Sequence, residues 1–370
     1  MATLYLCTQK TKLRYIDNHF VLTTFDGGSG YGEELKRVNG CRVDNILVFG
    51  LIDITREALK HCFLSGIPVS YFSITGKYIG SSLSNKSKCS ELKLCQYERY
   101  INPEQRLILA KTIVKGKIRN QLATIKHFTR NMDCIPADVI PVREQLNYFL
   151  NKVDNANSIS ALDGIEGTCA GKYFSIFNSF LTDNLGFSQR VKHPATDPVN
   201  AMLSLGYTLV TNLINGIIIA RGLEPAIGFL HELHSNRPSL ACDLVEEFRA
   251  PVVDRFIVRA CNLQMIESDM FEKGDDGNSV KFKESYFKDF LTKWQIFISK
   301  KIREPDVEEF RRQNLLGLII RQVDRMARVL RAGGEYEPFK YQYYLKKKKP
   351  ELFFLSVIFC FLYVFKTWSS

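Results

Sequence analysis

SSLSNKSKCS, which spans Ser81–Ser90, decides the fold class of this 370-residue chain. The stretch is polar, small and basic, as linkers between folded segments are. Short β-branched and aromatic runs precede it, and apolar residues at helical spacing follow it. We therefore predict an α+β fold: a small β-rich N-terminal domain at 1–84, a linker at 85–91 and a larger all-α domain at 92–344.

The segment before the linker has the pattern of several strands and one helix. The strand candidates are TLYLC, YIDNHFVLTTF, NILVFGLI and PVSYFSITGKYIGSSL, which Gly and Asn punctuate. The exception is Thr55–Leu64, TREALKHCFL. It starts with a capping Thr and places Ala58 and Cys62 on one helical face, so we predict a short helix there.

Beyond the linker the periodicity is helical. Pro103–Phe128 predicts a long basic helix, and Asn200–Arg221 is apolar nearly all round, which predicts a central buried helix. A turn-rich break at Glu272–Lys283 predicts a short hairpin. Two further helices are predicted at Glu284–Lys301 and Asp306–Arg331.

The chain is basic, with a formal net charge of +11 and a pI of about 9.1. This balance favours an anionic partner, of which nucleic acid is the commonest. Basic residues recur on two predicted helices, where they form either a solvated face or a phosphate-binding surface. The candidate DNA contacts on these helices are Lys111, Lys115, Arg119, Arg321 and Arg325.

A polar stripe interrupts the apolar helix, because Asn200, Ser204 and Tyr207 repeat at i, i+4 and i+7. Buried polar groups need partners, so the stripe forms either a structural hydrogen-bond network or one wall of a binding site. The stripe alone favours the structural network. We keep the three residues as candidate nucleic-acid contacts.

The cysteines and the N-terminus predict a cytoplasmic protein. None of the ten cysteines forms a C-x-x-C pair, which excludes a zinc-ribbon spacing. The start, MATLYLCTQK, lacks the basic and long apolar segments of a signal peptide. A reducing compartment is the simplest interpretation.

The C-terminal tail, 345–370, is basic and then apolar. Lys346–Lys349 precede the apolar run Leu352–Phe365, whose fourteen residues fall short of the roughly 18–20 that a membrane-spanning helix needs. We therefore expect a peripheral extension of unknown role rather than a membrane anchor.

The strongest chemical signal is GFLHELHSNRPSLACDLVEEFR, Gly228–Arg249. A helix starting near Pro238 places Asp243 three positions before Glu246, so both carboxylates project from one face. His231 and His234 lie just upstream. Carboxylates with one imidazole suit Mn²⁺ or Mg²⁺ better than a structural zinc site.

Two other interpretations of this segment compete. HELH is not the zinc-protease motif, because that motif places its histidines four apart on one helical face and here they are three apart. A plain acidic surface, in which Asp243, Glu246 and Glu247 pair with Arg249, remains open.

A second signal is LDGIEGTCAGKYF, Leu162–Phe174, at a predicted helix start. Glu166 lies between glycines, which lets a backbone or a substrate strand approach closely. A glutamate in a first helical turn is also favourable dipole chemistry, so this signal is weak by itself.

Together these segments resemble the CRISPR-associated integrase family, whose members insert new spacers into a repeat array. The resemblance covers residues 3–340 and rests on several pieces in the family's order. These are GLIDITREALKHCFLSGIPVSYF, KTIVKGKIRNQ, the E-G-x-x-A signature at 166–170, DPVNAMLSLGYTLV, GFLH and SLACDLVEEFR.

The resemblance implies that Glu166, His231 and Glu246 hold Mn²⁺ or Mg²⁺, with Asp243 at a further acidic position close to the metal. His234 has no counterpart in the family. The family often carries an aspartate where this chain has Glu246, which keeps the charge and lengthens the arm by one methylene.

The resemblance also implies metal-assisted phosphoryl transfer on double-stranded DNA, the protospacer and the repeat array. Attack by water gives a nick, and attack by a 3′-hydroxyl gives an integrated strand. Family members form homodimers through the N-terminal domain, and a small CRISPR-associated partner bridges two dimers. A stand-alone metal nuclease of branched or repair DNA, and a non-catalytic DNA-binding protein, remain alternatives.

Overall fold

A β-rich region precedes a helical region in the computed structural model of the chain, which confirms the α+β prediction. The described residues are 2–6, 8–24, 32–73, 78–82, 89–130, 132–182, 185–192, 194–234, 237–274, 277–300 and 314–341. The predicted tail, 345–370, lies outside them.

The described N-terminal region consists of two four-stranded sheets and one helix. Its elements are β1 (Ala2–Leu6), β2 (Thr11–Ile16), β3 (His19–Thr24), β4 (Glu34–Asn39), β5 (Val43–Phe49), β6 (Ile52–Ile54), α1 (Arg56–Ser65), β7 (Val69–Phe72) and β8 (Tyr78–Ser82). One sheet has the order β1-β5-β7-β8, in which β7 and β8 are antiparallel and the other pairs parallel. The other has the order β4-β3-β2-β6, with only β2 and β6 parallel.

Helix α1 begins and ends where the sequence predicts. The Thr55 hydroxyl accepts a hydrogen bond from the Ala58 amide at 3.3 Å, which is the predicted N-cap. Gly66 ends the helix with a left-handed φ of 69°, a conformation that favours glycine.

The remaining described elements are helical apart from one hairpin. They are α2 (Cys89–Ile101), α3 (Pro103–Thr129), α4 (Val139–Lys152), α5 (Ile159–Ser175), α6 (Pro198–Ala220), α7 (Ser239–Val245), α8 (Arg255–Asn262), β9 (Phe271–Lys273), β10 (Val280–Phe282), α9 (Glu284–Ser299) and α10 (Leu315–Ala332). Helices α3, α6 and α9 and the hairpin agree with the predictions. Of the helix predicted from Asp306, residues 306–313 are not described and the rest is α10.

Helix α6 is the centre of the core and joins the two regions. Val210, Ile214 and Ile217 are buried on it, in the same apolar cluster as Leu47 and Phe72 of the first sheet. A methyl group added at Gly216 would overlap the Phe72 ring, so the sheet approaches α6 closely. The face of this sheet that carries Leu47 and Phe72 therefore packs into the helical core, whereas Leu13, Phe20 and Ile46 belong to a separate apolar cluster of the N-terminal region.

The predicted linker is shorter in the structure. Strand β8 ends at Ser82 and α2 already begins at Cys89, inside the predicted 85–91. Residues 83–88 between them are not described. The polar composition of this stretch hid a helix start, because the first turn of α2 contributes serine and glutamate rather than apolar residues.

Among the described residues, α6 is long and apolar enough to cross a membrane by length and composition alone. Most of that apolar segment is buried inside the protein, as the core helix of a globular protein would be.

Candidate active site

A cavity of about 480 Å³ brings together the three residues predicted to hold a metal. Glu166 comes from the middle of α5, and His231 from the connection between α6 and α7. Glu246 directly follows the last residue of α7. Residues more than sixty positions apart in the sequence therefore line one cavity.

Asp243, on α7, fixes the backbone and the ring of His231. The fully buried carboxylate accepts hydrogen bonds from the amides of Phe229 at 2.5 Å and Leu230 at 3.1 Å through Oδ2. Its Oδ1 accepts from the His231 amide at 3.0 Å and lies 2.7 Å from His231 Nδ1. Nδ1 is thereby engaged, which leaves Nε2 as the ring nitrogen available to a ligand.

These hydrogen bonds indicate that Asp243 positions His231. Both of its oxygen atoms are occupied by backbone amides and by His231, so it is placed to position the imidazole. Burial lowers the pKa of His231, but the hydrogen bond and charge of Asp243 outweigh it and raise that pKa. A Cβ at Gly228 would lie 2.9 Å from Asp243 Oδ2, which explains the glycine in GFLH.

The ammonium group of Lys117, on α3, lies between the two glutamates. It contacts Glu166 Oε1, and its Nζ is 2.5 Å from Glu246 Oε2. On its other oxygen Glu246 meets Arg249 Nε at 3.1 Å. Burial raises the pKa of Glu246, but Arg249 and Lys117 together lower it to about 2, so this carboxylate is ionised at neutral pH.

The donor set fits a hard divalent cation. Within the described ranges, no three acidic, imidazole or thiol side chains lie close enough together to form a complete metal-coordination sphere. Two carboxylates and one imidazole nevertheless line the same cavity, which is the oxygen-rich chemistry that Mn²⁺ and Mg²⁺ accept. Glu166, His231 and Glu246 are therefore the residues that could hold such an ion.

A second polar network adjoins the site through Arg249. Its guanidinium lies 4.7 Å from the centre of the Tyr207 ring. The Tyr207 hydroxyl donates to Asp254 Oδ1 at 2.5 Å. Burial raises the pKa of Asp254 to about 6, although its tyrosine partners and nearby arginines oppose the rise.

The polar stripe on α6 is mainly structural. Asn200 is fully buried, accepts from Arg190 Nη1 at 2.8 Å and from the Val191 amide at 3.0 Å, and donates to Gln189 O at 2.8 Å. Because its amide is enclosed by protein partners, the prediction that Asn200 contacts DNA is not supported. Ser204 accepts from Arg190 Nη2 at 3.0 Å. Of the three stripe residues, only Tyr207 lines the active-site cavity.

The basic residues predicted on α3 lie away from that cavity. Lys115 and Arg119 line a second cavity of about 580 Å³, together with Arg99 and Lys340. Lys115 forms an ion pair with Asp154, and Lys111 donates to the Asp154 carbonyl at 2.8 Å. The second cavity, whose lining also includes Glu335 and Glu337, is separate from the candidate active site.

The two arginines predicted on α10 lie on a half-buried part of that helix. Arg325 donates to Gln322 Oε1 at 3.1 Å and to the Glu337 carbonyl at 3.3 Å. Its guanidinium therefore holds the chain segment after α10, and neither Arg325 nor Arg321 lines the active-site cavity.

Sequence reasoning missed one member of the site, Lys117 on α3. The signal for its burial is local, because buried Ile113 and Gln121 flank it at i−4 and i+4. Asp163 lies one turn before Glu166 on α5. Partial burial and the Glu166 charge raise the pKa of Asp163, while His231 opposes the rise, but Asp163 is exposed and does not line the cavity.

The acidic-surface interpretation of Asp243, Glu246 and Glu247 is wrong, because all three side chains are buried. Glu247 does not line the cavity and is directed toward α10 and the segment after it. Its oxygens accept from the Tyr336 hydroxyl at 2.6 Å and from Gln322 Nε2 at 2.8 Å. His234 is exposed and outside the cavity lining.

Comparison with known proteins identifies the family of this chain. The family model for CRISPR associated protein Cas1 matches residues 4–296. The CRISPR-associated endonuclease Cas1 3 of Thermus thermophilus is 31% identical over 263 residues, which cover 71% of this chain and 76% of that protein.

Two solved structures have the same fold. A partial Cas6-RT-Cas1–Cas2 complex contains a chain with a TM-score of 0.76 at 20% identity, covering 92% of this chain and 99% of its own. A casposase bound to integration product has a TM-score of 0.71 at 23% identity, covering 93% of this chain and 100% of its own.

The fold, the cavity and these matches place the protein among the endonucleases and integrases of CRISPR systems. The chain belongs to the CRISPR associated protein Cas1 family.

Proposed function

We propose that this protein is a metal-dependent DNA endonuclease and integrase that inserts spacer DNA into a CRISPR repeat array. The observation that carries the proposal is the meeting of Glu166, His231 and Glu246 in one cavity of a Cas1-family fold. The chain's basic charge, +11, suits a polyanionic substrate.

The protein's own residues prepare the site for phosphoryl transfer. A bound Mn²⁺ or Mg²⁺ would polarise the scissile phosphate and lower the pKa of the attacking oxygen. Glu166 and Glu246 would supply charged oxygens to the ion, and Asp243 engages Nδ1 of His231, which would leave Nε2 to act as the nitrogen ligand. Water as nucleophile gives a nick, whereas the 3′-hydroxyl of an incoming strand gives an integrated product.

The chain supplies cations for the DNA phosphates at two places. Arg190 and Lys192 line the active-site cavity beside the acidic residues, and Lys115 and Arg119 line the second cavity. Such contacts give affinity with little sequence reading. We assign the duplex to these surfaces because a strand-transfer reaction requires two DNA segments at once.

The partners follow from the same proposal. The similar chain in the Cas6-RT-Cas1–Cas2 complex is assembled with Cas2, and the similar casposase is bound to an integration product. We infer that this protein acts as a homodimer through its N-terminal sheets, with a small Cas2-type protein bridging two dimers.

Half-site integration tests the proposal. Purified protein, its small partner, a short duplex with free 3′-hydroxyls and a supercoiled plasmid bearing the repeat are incubated with Mn²⁺. The expected result is a nicked plasmid with the duplex joined at the repeat, lost in Glu166→Ala and His231→Ala. Cleavage of branched DNA without joining would indicate a stand-alone nuclease instead. Equal cleavage by wild type and both variants would contradict an active site at this cavity.

A further inference from the structure

Lys117 is a buried cation in contact with two acids from different helices. Its side chain is 8% exposed, and that of Glu246 is 4% exposed. It extends from α3 to meet Glu166 on α5 and Glu246 after α7. Water therefore screens the contact with Glu246 poorly, whereas the Glu166 side chain is 26% exposed.

The charges around the two glutamates nearly cancel. Lys117 and Arg249 both contact Glu246, and Lys117 also contacts Glu166. Two negative and two positive groups thus share one end of the cavity. A divalent cation entering there gains the attraction of the carboxylates but meets the repulsion of two resident cations.

Arg249 and Lys117 differ in what holds them. The Arg249 guanidinium also rests against the Tyr207 ring, so it has a second contact outside the acidic pair. Within the part of the chain that the structure describes, the Lys117 ammonium forms its ion pairs with Glu166 and Glu246 alone. The ammonium lies between the two carboxylates, at the position that an ion bound by both of them would take. An incoming ion must therefore displace the ammonium or bind against its repulsion.

We propose that Lys117 is an internal counter-cation that lowers the affinity of this site for divalent metal. This inference rests on the proposed function. Substrate phosphate, which brings negative charge into the same cavity, would offset Lys117, so that the metal and the DNA bind with positive coupling. Lys117 thus keeps the metal occupancy of the site low until DNA binds.

Mn²⁺ binding to the DNA-free protein tests this inference directly. Free Mn²⁺ is followed by electron paramagnetic resonance during titration of the wild type, Lys117→Met and Lys93→Met. Lys93 is the matched control, because it forms a lysine–glutamate ion pair with Glu224 at 3.1 Å outside the cavity. Lys117→Met should bind Mn²⁺ about tenfold or more tightly than wild type, given the strength of charge interactions at this range, and Lys93→Met should match wild type.

Affinity in Lys117→Met equal to or weaker than wild type overturns the inference. If that variant does not fold, Lys117→Gln keeps a hydrogen-bond donor between the glutamates and takes its place, with the same expected direction. Glu166→Gln separates the two proposals. Loss of Mn²⁺ binding in Glu166→Gln with unchanged binding in Lys117→Met overturns only the counter-cation. Absence of Mn²⁺ binding in every DNA-free protein overturns the counter-cation, and absence of binding in the presence of DNA as well overturns the metal-dependent function.

Discussion

Asp243 Oδ1 lies 2.7 Å from His231 Nδ1 and also accepts a hydrogen bond from the His231 backbone amide at 3.0 Å. One buried carboxylate therefore fixes both the main chain and the side chain of the same histidine. Because Asp243 stands on α7, three residues before Glu246, it ties the position of the imidazole to that of the second acid.

Replacing Asp243 by Asn should lower strand-transfer rate about 10–100-fold, the usual effect of losing the partner of a ligating histidine. An amide cannot accept from the backbone and from His231 with both of its polar atoms. Rates measured at saturating Mn²⁺ and across Mn²⁺ concentrations separate poor metal binding from slow chemistry. Activity within twofold of wild type at every Mn²⁺ concentration would show that Asp243 does not position His231.

Replacing Glu247 by Ala should destabilise the fold by about 3 kcal/mol, because the Tyr336 hydroxyl and the Phe339 amide lose their buried acceptor. Gln322 Nε2 also loses Glu247 but keeps the Glu337 carbonyl at 3.1 Å. Urea unfolding measures the change. Glu335→Ala, an exposed acid on the same segment, should change stability by less than about 0.5 kcal/mol. Equal effects of the two substitutions would contradict the role given to Glu247.

The Asp254 carboxyl should make stability fall as pH rises. Its folded pKa of about 6 lies above the ordinary value of 3.8. The folded state therefore holds the proton more tightly, so its stabilising contribution is present below pH 4 and lost between about pH 4 and 6. A pKa rise of this size corresponds to a change of up to about 3 kcal/mol in the free energy of unfolding.

The variant Asp254→Asn, which keeps an acceptor for Tyr207, isolates this effect. The unfolding free energies of wild type and variant are measured in urea at pH 4 and pH 7. Between these two pH values the wild type should lose stability relative to the variant. A difference that is independent of pH would show that Asp254 titrates normally.

Replacing Gly216 by Ala should destabilise the protein by about 1–3 kcal/mol, because the added methyl group would overlap the Phe72 ring and overpack the core. Gly164→Ala, in the open middle of α5, should instead be neutral or stabilising by up to about 1 kcal/mol. Thermal unfolding of both variants makes the comparison. Stabilisation by Gly216→Ala would mean that the sheet does not press on α6.

Local elements were predictable because their signals are local. The Thr55 cap, the apolar spacing in α3 and the unbroken apolar character of α6 each lie within a few turns of chain. The resemblance, rather than any residue pattern, supplied the joining of Glu166 to His231 and Glu246. No residue spacing in the sequence indicates that α5 and α7 lie next to each other.

Tertiary packing explains the remaining differences. Lys117 has the same neighbours in sequence as the exposed lysines of α3, and only the approach of α5 and α7 turns it into a buried partner of two acids. Asn200 has a structural role because Arg190, from a loop, donates a hydrogen bond to its side-chain oxygen. Glu247 is held away from the site by hydrogen bonds from Tyr336, Gln322 and the Phe339 amide, which come from α10 and the segment after it.

The most direct test of the central claim is a crystal of this protein soaked in Mn²⁺, with anomalous diffraction recorded at the manganese absorption edge. The account predicts one strong anomalous peak in the cavity, within bonding distance of carboxylate oxygens of Glu166 and Glu246 and of His231 Nε2, with Lys117 moved aside. A peak elsewhere on the molecule, or none in this cavity at saturating Mn²⁺, would contradict it.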